Sequence, residues 1–441
     1  MPKPKKSVVN FRGGIHPAGH KRTAECATVD MPPPELVTIP MQQHIGAACQ
    51  PMVKPGETVY LGQRVGDTDA FVAAPIHASV SGTVKKIGEL MLPSGQRTQT
   101  VVIESDGLMT PHPKVVPHTI STPDELAGHA RRSGLVGFGG AGFPAHVKLR
   151  PVPGKPIDTI IINAAECEPF ITSDYRECME NTFDVLNGIN LLIDVLKPGR
   201  VAIALEDNKP KATELFGALL LAQKYSGGNI DVTAMKTRYP QGAEKMICYT
   251  VTGRIIPAGA LPADVGCMIV NVSTVGFLYR YVQTGMPLIS KRITLDGSAV
   301  KSPCNVRVPI GTSVREVVEF CGGYRETPKK LLSGGPMMGM ALTDDSFPIL
   351  KQSNAILAFN DADAAPRPIK PCFRCGQCVK VCPMRIMPTM VSHDYDAKNI
   401  EGLKRAGITA CMECGSCAYS CPANRPLVQY IRMSKELIKK S

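Results

Sequence analysis

The chain has 441 residues, 44% of them hydrophobic and 5% aromatic, and a formal net charge of +12. At roughly 150 residues per domain this length predicts about three domains, and the hydrophobic content is sufficient for packed cores. No apolar run reaches the roughly 18 residues of a membrane-spanning helix, and the lack of Trp argues against a stacking surface for nucleic acid. The positive charge therefore indicates an acidic protein partner or an anionic membrane surface rather than nucleic acid.

Residues 1–34 are rich in Pro, Gly and Lys, which predicts an extended arm. Short β-like runs separated by Gly and Pro follow in residues 35–110, a pattern typical of a small all-β sandwich or barrel. The stretches Val53–Gly66 and Ala74–Val84 resemble the barrel-sandwich hybrid fold of lipoyl and biotinyl carrier domains. His77 stands at the hairpin where those carriers have their modified lysine, so we expect a structural domain.

An α/β region follows in residues 111–285. Ile157–Asn163 and Arg200–Glu206 are apolar runs of strand length, and Asp174–Leu196 and Lys209–Lys224 have helical periodicity. Strands that alternate with helices predict a doubly wound, largely parallel, Rossmann-like sheet. Ligands of such sheets bind at the carboxyl ends of the strands. The polar residues that follow the strands are therefore candidates for a binding site.

A glycine-rich segment, Gly137–Pro144, precedes this sheet and is followed by Lys148. Its backbone amides can approach a phosphate or a flat ring closely, and the lysine can supply a countercharge, although a plain turn would use the same glycines. Polar residues also stand at the ends of apolar runs in three stretches, Asn163–Pro169, Tyr239–Glu244 and Val270–Thr274. These have alternatives, since Glu166 or Glu168 could cap a helix and Tyr239 could belong to the core.

Two cysteine runs near the C-terminus, Cys372–Pro383 and Cys411–Pro422, share the spacing C-x2-C-x2-C-x3-C-P, which is typical of ferredoxins with two [4Fe–4S] clusters. In that signature the fourth cysteine of each run ligates the cluster of the other run. One cluster is therefore expected on Cys372, Cys375, Cys378 and Cys421, and the other on Cys411, Cys414, Cys417 and Cys382.

Disulfides and zinc are the alternative uses of these cysteines. Disulfides need an oxidising compartment, and the start of the chain, Met1–Phe11, has three lysines without the apolar segment of a secretory signal. Structural zinc sites usually have two C-x2–4-C pairs, and the third and fourth cysteines of each run would have no use in a tetrahedral site. The spacing therefore indicates iron–sulfur clusters, through which electrons pass.

The polar stretches resemble, in the same order, those that hold FMN and NADH in the flavin-bearing subunit of respiratory complex I. Over practically the whole chain the closer resemblance is to the C subunits of the Rnf complex, a membrane-bound ferredoxin:NAD oxidoreductase. It rests on Phe11–Pro17, the barrel with His77, Gly137–Pro144, Leu332–Gly339 and the paired ferredoxin motifs.

The resemblance implies a multidomain α/β and β fold with four domains in chain order. These are a barrel-sandwich hybrid, an FMN- and NADH-binding α/β domain, a β-grasp domain of the soluble-ligand-binding type around Ile293–Cys321, and an α-helical ferredoxin module. We expect the β-grasp domain and its linker in residues 286–365 and the ferredoxin module in residues 366–441.

The resemblance also implies cofactor contacts, residue by residue. Gly137, Gly139, Gly140, Gly142 and Lys148 would line the FMN phosphate and ring, Asn163 the isoalloxazine, and Tyr239, Gly242 and Glu244 the opposite side. Asn271 and Thr274 would complete the phosphate end, Phe143 and Glu168 would contact NADH, and Glu166 belongs to the same cofactor-binding stretch. Ala165 and Phe138 depart from the complex I pattern, which has an acidic and a basic residue there.

The implied function is that of an enzyme subunit that passes electrons between NAD(H), non-covalent FMN and two [4Fe–4S] clusters, without a protein acid or base. Its partners would be the other Rnf subunits, including an iron–sulfur B-type subunit and integral membrane subunits, with ferredoxin reached indirectly. It would lie peripherally on the cytoplasmic face of the bacterial membrane. Two alternatives stay open: a diaphorase subunit of a soluble electron-bifurcating or hydrogenase-linked complex, and a non-enzymatic scaffold that carries clusters.

Overall fold

The computed structural model describes residues 9–140, 142–222 and 229–441, and these residues contain four β-sheets. The start of the predicted arm, one position of the glycine-rich segment and the end of the helix predicted to reach Lys224 lie outside the described residues. Within them, no helix is long and apolar enough to span a membrane.

The barrel domain consists of two antiparallel sheets that enclose an apolar core. After β1 (Thr28–Asp30) in the arm, its strands are β2 (Leu36–Pro40), β3 (Gln50–Pro51), β4 (Thr58–Val59), β5 (Arg64–Asp67), β6 (Ile76–His77), β7 (Gly82–Met91) and β8 (Arg97–Ser105). The sheet orders are β2-β8-β7-β4 and β3-β5-β6. Ile39 and Val101 of the first sheet pack with Val65 and Ile76 of the second, which is how alternating strands build a sandwich core.

The described part of the predicted arm contributes a strand to another domain. Thr28–Asp30 pairs in parallel with Asn305–Arg307, at the edge of a six-stranded sheet. The arm therefore crosses the molecule from the barrel to the third domain instead of projecting from it.

The α/β domain alternates helices and strands. Its elements are α1 (Pro123–Arg132), α2 (Ala145–Leu149), β9 (Thr159–Ala164), α3 (Ser173–Glu180), α4 (Thr182–Leu196), β10 (Arg200–Glu206), α5 (Pro210–Ala222), β11 (Ile230–Met235), α6 (Glu244–Thr252), β12 (Cys267–Asn271) and α7 (Val272–Thr284). The strands are all parallel, in the order β11-β10-β9-β12. The predicted helix over Asp174–Leu196 is divided in two, because the backbone leaves helical geometry at Asn181 (φ −123°, ψ 33°).

Both faces of this sheet are covered, as the apolar strands predict. In β9, Ile160 and Ile162 belong to a core that includes Leu186 of α4 and Val275 of α7. Ile161, which points to the opposite face, belongs to a second core with Ile247 of α6. The predicted doubly wound sheet is therefore confirmed.

The third domain is built around the six-stranded sheet β1-β14-β13-β17-β15-β16. Its own elements are β13 (Ser290–Asp296), β14 (Cys304–Pro309), α8 (Val314–Phe320), β15 (Lys330–Ser333), β16 (Met340–Leu342), β17 (Ala355–Phe359) and α9 (Asp361–Ala364). Val314 and Val317 of α8 pack with Ile293 and Val306 of the sheet. One helix on a mixed sheet agrees with the predicted β-grasp fold.

The C-terminal module is helical, as predicted. It contains α10 (Gln377–Lys380), α11 (Pro388–Asp396), α12 (Ile400–Arg405), α13 (Ser416–Tyr419) and α14 (Leu427–Lys440). Leu427 and Ile431 of α14 are buried against Val391 of α11 and Leu403 of α12. These contacts form a small core beside the two cysteine runs.

Candidate functional site

The site begins where the order of the parallel strands reverses. The chain leaves β9 for β10 on one side, and β12 lies on the other side of β9. Asn163 and Asn271, close to the carboxyl ends of β9 and β12, are partners in the sheet register. Ligands of open α/β sheets bind at such a reversal.

The glycine-rich loop is fastened to this edge of the sheet. The Gly137 amide donates to the Phe143 carbonyl at 2.8 Å, which closes the loop on itself. The Phe138 amide donates to Thr274 Oγ1, in the first turn of α7, at 3.0 Å. The predicted loop and the predicted Thr274 are thus brought together.

Two glycines of the loop are required by their surroundings. Gly139 has φ +73°, and a Cβ there would lie 2.8 Å from Asn271 Nδ2. Gly142 has φ +70°, and its Cβ would lie 3.2 Å from Gln352 Cβ. Gly140, in contrast, is exposed and has no neighbour within 4 Å of a Cβ position. The backbone of the loop is therefore accessible at Gly140, whereas Gly139 and Gly142 are closely packed.

Two backbone groups, one at each end of its amide, orient the Asn163 side chain. Its Nδ2 donates to the Gly242 carbonyl at 2.9 Å, and its Oδ1 accepts the Ala165 amide at 3.2 Å. Gly242 lies close to this side chain, since a Cβ there would be 3.7 Å from Asn163 Nδ2. The predicted pair Asn163 and Gly242 therefore lies together at the carboxyl end of β9. We use the term crevice for the space outside the carboxyl ends of β9 and β12, where such sheets bind ligands.

Asn271 caps helix α7. Its Oδ1 accepts the amides of Ser273 and Thr274 at 2.9 and 3.3 Å, and its Nδ2 donates to Asp174 Oδ2 at 2.7 Å. Ser273 Oγ donates to the other oxygen of Asp174 at 2.6 Å. Asp174, which belongs to no motif of the sequence, thus fixes the start of α7 beside the glycine-rich loop.

Lys148 and Glu244 form an ion pair with each other. Lys148 lies on α2, directly after the glycine-rich loop, and Glu244 is the first residue of α6. Both side chains keep roughly a third or more of their surface exposed. The two predicted contacts are therefore close together at the mouth of the crevice, where solvent weakens their attraction.

Glu166 caps a helix, which is one of the alternatives that the sequence left open. Its Oε1 and Oε2 accept the amides of Asp174 and Tyr175 at 2.6 and 3.3 Å, at the start of α3. Burial raises the pKa of this carboxyl to about 7. Both oxygens are engaged with the helix, so Glu166 fixes the start of α3 next to the predicted site.

Glu168 does not cap a helix. Its Oε2 accepts the Met337 amide at 3.1 Å, and its buried Oε1 has no hydrogen-bond partner in the described part of the chain. Burial raises the pKa of this carboxyl to about 7. Lys21 of the arm holds the same loop, since its Nζ donates to the carbonyls of Glu166 and Glu168 at 2.9 and 2.8 Å. Nothing in the local sequence distinguishes Lys21 from the other lysines.

Tyr239 links the crevice to the C-terminal module. It is 2% exposed, and its hydroxyl donates to the Cys414 carbonyl at 2.6 Å. Tyr239, Ile15, Cys167, Met337 and Cys414 belong to one apolar cluster. Tyr239 therefore belongs to the core, which is one of the two roles that the sequence allowed. It also lies at the boundary with the second cysteine run, through its bond to Cys414.

The eight cysteines of the two runs line two separate cavities. Cys372, Cys375, Cys378 and Cys421 line one, and Cys382, Cys411, Cys414 and Cys417 line the other. Each cavity therefore takes three cysteines from one run and the fourth from the other, as the signature predicts. In the described residues no group of His, Cys, Asp or Glu side chains converges on a point suited to a single metal ion.

The two runs wrap their cavities with the same backbone. Arg374 and Gly376 have φ of 55° and 75°, and Glu413 and Gly415 have φ of 58° and 80°. Left-handed residues in such loops turn successive amides inward, which makes a concave site for an anion such as an iron–sulfur cluster.

The two cavities differ in their surroundings. Cys372 and Cys375 are exposed, whereas Cys414 and Cys417 are each 8% exposed. We call the sets the outer set (Cys372, Cys375, Cys378 and Cys421) and the inner set (Cys382, Cys411, Cys414 and Cys417). The inner set is the one that contacts Tyr239.

Known families match successive parts of the chain. Residues 9–108 match the RnfC barrel sandwich hybrid domain, residues 130–280 the Nuo51 FMN-binding domain, residues 292–341 the SLBB domain, and residues 366–425 the 4Fe-4S dicluster domain. The four predicted domain types, FMN and the iron–sulfur clusters are therefore confirmed at the level of domains.

Relatives resemble the chain over nearly its whole length. It is 42% identical to the C subunit of a proton-translocating ferredoxin:NAD(+) oxidoreductase complex of Clostridium ljungdahlii, over 97% of this chain and 93% of the relative. It is 40% identical to the Na(+)-translocating counterpart of Acetobacterium woodii, over 88% of each, and 40% identical to the C subunit of an ion-translocating oxidoreductase complex of Rhodobacter capsulatus, over 97% and 82%. A crystal structure of NAD+-reducing [NiFe]-hydrogenase has the same fold over 72% of this chain and 63% of that one, with 18% identity and a TM-score of 0.52.

Proposed function

Because the chain belongs to the family of C subunits of ion-translocating ferredoxin:NAD(+) oxidoreductase complexes, we propose that the crevice of its α/β domain holds FMN and exchanges electrons with NAD(H). Bound FMN takes up two electrons together and delivers them one at a time, as [4Fe–4S] clusters require. The protein's part is to hold the cofactors, orient them and exclude water between them.

The observation that carries this proposal is the contact between the crevice and the inner set. Tyr239 lies three residues before Gly242, whose carbonyl accepts a hydrogen bond from Asn163 of the crevice, and the Tyr239 hydroxyl bonds to the backbone of Cys414. The contact is buried on both sides, since Tyr239 is 2% and Cys414 8% exposed. The proposed site for NAD(H) and FMN and the inner set, which would hold a one-electron carrier, therefore meet at a buried contact.

The residues of the crevice suit FMN. The open backbone at Gly140 and the left-handed Gly139 leave the space that a phosphate needs beside the start of α7. Asn163 and Gly242 form the wall that we assign to the isoalloxazine, and Lys148 supplies the positive charge at the mouth. Gly137, Gly142, Asn271 and Thr274 support the loop and the helix terminus around the phosphate end.

We assign the NADH contacts to Phe143 and Glu168. Glu168 supports this role because one of its oxygens is buried and has no partner among the described residues. A polar atom that is desolvated without a hydrogen bond is costly, and a bound nucleotide would satisfy it. Glu166 supports the site by capping α3, and its carboxylate oxygens keep lone pairs that could accept a further hydrogen bond from a cofactor.

The two cysteine sets support an order of electron transfer. The inner set contacts Tyr239, and the outer set includes the exposed Cys372 and Cys375. We assign one [4Fe–4S] cluster to each set. Electrons from NADH would pass from the crevice to the inner cluster and then to the outer cluster, and the reverse route would reduce NAD+.

The surface beside the outer set supports an acidic electron-transfer partner. Residues 364–393 contain no Asp or Glu and five exposed cations, Arg367, Lys370, Arg374, Lys380 and Arg385. Phe373, between two cysteines of the outer set, is 63% exposed. An apolar centre within a cationic surface favours a partner with an acidic face, because complementary charge accelerates encounter.

The partners that fit are the other subunits of the complex: the iron–sulfur B-type subunit, the integral membrane subunits and, indirectly, ferredoxin. We place the chain peripherally at the cytoplasmic face of the membrane. A diaphorase subunit of a soluble complex would use the same crevice, and the family membership is what favours the membrane complex. A non-enzymatic scaffold would leave the crevice without FMN.

The test uses the full chain, purified anaerobically and reconstituted with FMN, iron and sulfide. We expect NADH to reduce ferricyanide, whereas reduction of ferredoxin should need the partner subunits. The matched control is the same preparation without FMN. A preparation that contains flavin and both clusters but fails to reduce ferricyanide with NADH would refute the proposal, and reduction of ferredoxin by the lone chain would refute the assignment of that step to the partners.

A further inference from the structure

The segment Phe11–Pro17, which we call the strap, has no role in the function described so far. It lies between the crevice and the inner set. The Gly14 amide donates to the Val381 carbonyl at 2.8 Å, next to Cys382 of the inner set. Ile15 and Tyr239 exchange two backbone hydrogen bonds, with N···O distances of 2.8 and 2.9 Å. The strap is therefore bonded to both sides of the boundary.

The two glycines of the strap are packed against opposite sides. Gly13 has φ +85°, and a Cβ there would lie 2.8 Å from the Cys382 carbonyl oxygen. Gly14 has φ +74°, and its Cβ would lie 2.7 Å from the Tyr239 carbonyl oxygen. Real Cβ atoms essentially never approach backbone oxygens so closely, so a side chain at either position would push the two sides apart.

The ends of the strap are anchored in the α/β domain. Phe11 and Ile15 are 4% and 6% exposed. Arg238 Nη1 donates to the Phe11 carbonyl at 2.6 Å, and the Arg238 guanidinium lies 5.2 Å from the Phe11 ring centroid. Ile15 packs with Tyr239 and Cys414. The strap thus cannot move away without breaking contacts with the domain that forms the crevice.

We propose that the strap sets the distance between the crevice and the inner cluster and thereby the rate of electron transfer between them. Its residues are positioning residues, since they act through Tyr239 and Cys382. The inference rests on the proposed function, because it requires electrons to cross this boundary.

The test compares alanine variants that share the same backbone strain. Gly13→Ala is matched by Gly56→Ala, because Gly56 also has φ +85° but has nothing within 4 Å of its Cβ position. Gly14→Ala is matched by Gly253→Ala, with φ +75° and equally open space. NADH-dependent reduction of the clusters is followed by stopped-flow absorbance and by electron paramagnetic resonance, and ferricyanide reduction reports on the oxidation of NADH at the crevice.

We expect Gly13→Ala and Gly14→Ala to retain FMN, iron and ferricyanide reduction but to slow reduction of the inner cluster several-fold, because the added Cβ would push the two sides of the boundary apart and electron transfer slows with distance. The Gly56 and Gly253 variants should behave as the unaltered chain. Cluster reduction at the unaltered rate in both strap variants would overturn the inference. Failure of the unaltered chain to reduce ferricyanide would instead count against the proposed function.

A second variant covers the case in which the strap alanines prevent folding. Ile15→Val keeps the backbone and removes one methylene from the contact with Tyr239 and Cys414. It should slow cluster reduction measurably while ferricyanide reduction stays unchanged. An unchanged cluster-reduction rate in this variant would overturn the inference even if the glycine variants fail to fold.

Discussion

The hydroxyl of Tyr239 donates a hydrogen bond of 2.6 Å to the backbone carbonyl of Cys414, across 175 positions of the sequence. Tyr239 lies three residues before Gly242, which bonds to Asn163 of the crevice, and Cys414 belongs to the inner set. This bond joins the two sites that the proposed electron transfer requires, and the predictions below test the sites on either side of it.

Tyr239→Phe removes the hydroxyl and keeps the ring. We expect the variant to retain FMN and iron but to lose about 1–3 kcal/mol of stability at this boundary, since the Cys414 carbonyl is left buried without its donor. Thermal unfolding of the cofactor-loaded chain measures the loss. Tyr60→Phe is the control, because the Tyr60 side chain is 40% exposed. Equal unfolding temperatures for the two variants would show that the hydrogen bond between Tyr239 and Cys414 does not contribute the predicted stability.

Cys421→Ala tests the crossover of the ligands. The unaltered chain should hold about eight irons, and the variant about four, because each set of four thiolates suits one cube. The cluster that remains should be the inner one, although Cys421 lies in the second run. Metal analysis and electron paramagnetic resonance measure both.

Cys26→Ala is the control for this variant, because Cys26 lines neither cavity. It should leave the iron content unchanged. Zinc in the unaltered protein, or loss of the inner cluster alone in Cys421→Ala, would show that the cluster assignment is wrong.

Lys148→Ala removes the cation at the mouth of the crevice. A charge-assisted hydrogen bond to a phosphate is worth roughly 1.5–3 kcal/mol, so FMN or NADH affinity should fall about tenfold to a hundredfold. Fluorescence titration with FMN and the KM for NADH measure the change. Lys155→Ala is a matched control, because Lys155 also pairs with a carboxylate of the same domain, that of Asp264. If both affinities stayed the same in Lys148→Ala, the cation that faces the cofactor would have to be sought elsewhere.

Glu168→Gln tests the NADH contact. The variant should retain FMN and both clusters and raise the KM for NADH, because the amide cannot accept hydrogen bonds as a carboxylate does. Glu35→Gln, on an exposed residue before β2, provides the control. A KM equal to that of the unaltered chain would remove Glu168 from the site.

The same variant should also differ from the unaltered chain in how its stability depends on pH. Burial raises the pKa of Glu168 to about 7, whereas an unfolded Glu titrates near about 4.3. Between these values the folded chain binds more protons than the unfolded chain, so this carboxyl makes the unaltered chain less stable as the pH rises through the window. Glu168→Gln has no carboxyl at this position and therefore does not lose stability in this way as the pH rises. Its unfolding temperature, relative to the unaltered chain, should therefore be higher at about pH 8 than at about pH 5.

Local patterns predicted much of the site. The cysteine spacing identified both cluster motifs, because three of the four thiolates of each cube come from one short loop. The apolar runs of β9 and β10 and the glycines before them placed the crevice at the carboxyl ends of parallel strands, since strand burial and positive φ are properties of a few consecutive residues. The assignment of Glu166 to the cofactor was less secure, because the sequence pattern is the same for a carboxylate that caps a helix and for one that binds a cofactor.

The sequence by itself determined the domain types, the two sets of cysteines and the edge of the sheet where we propose that a ligand binds, all of which depend on residues close together in the chain. Only the tertiary structure decided that the inner set is the one packed against the crevice, that Lys21 holds the Glu166–Glu168 loop, and that the strap lies between Tyr239 and Cys382. These contacts join residues more than 140 positions apart, and their partners are backbone carbonyls, which every residue carries. Since a carbonyl has no sequence signature, such a contact can be recognised only once the domains have packed.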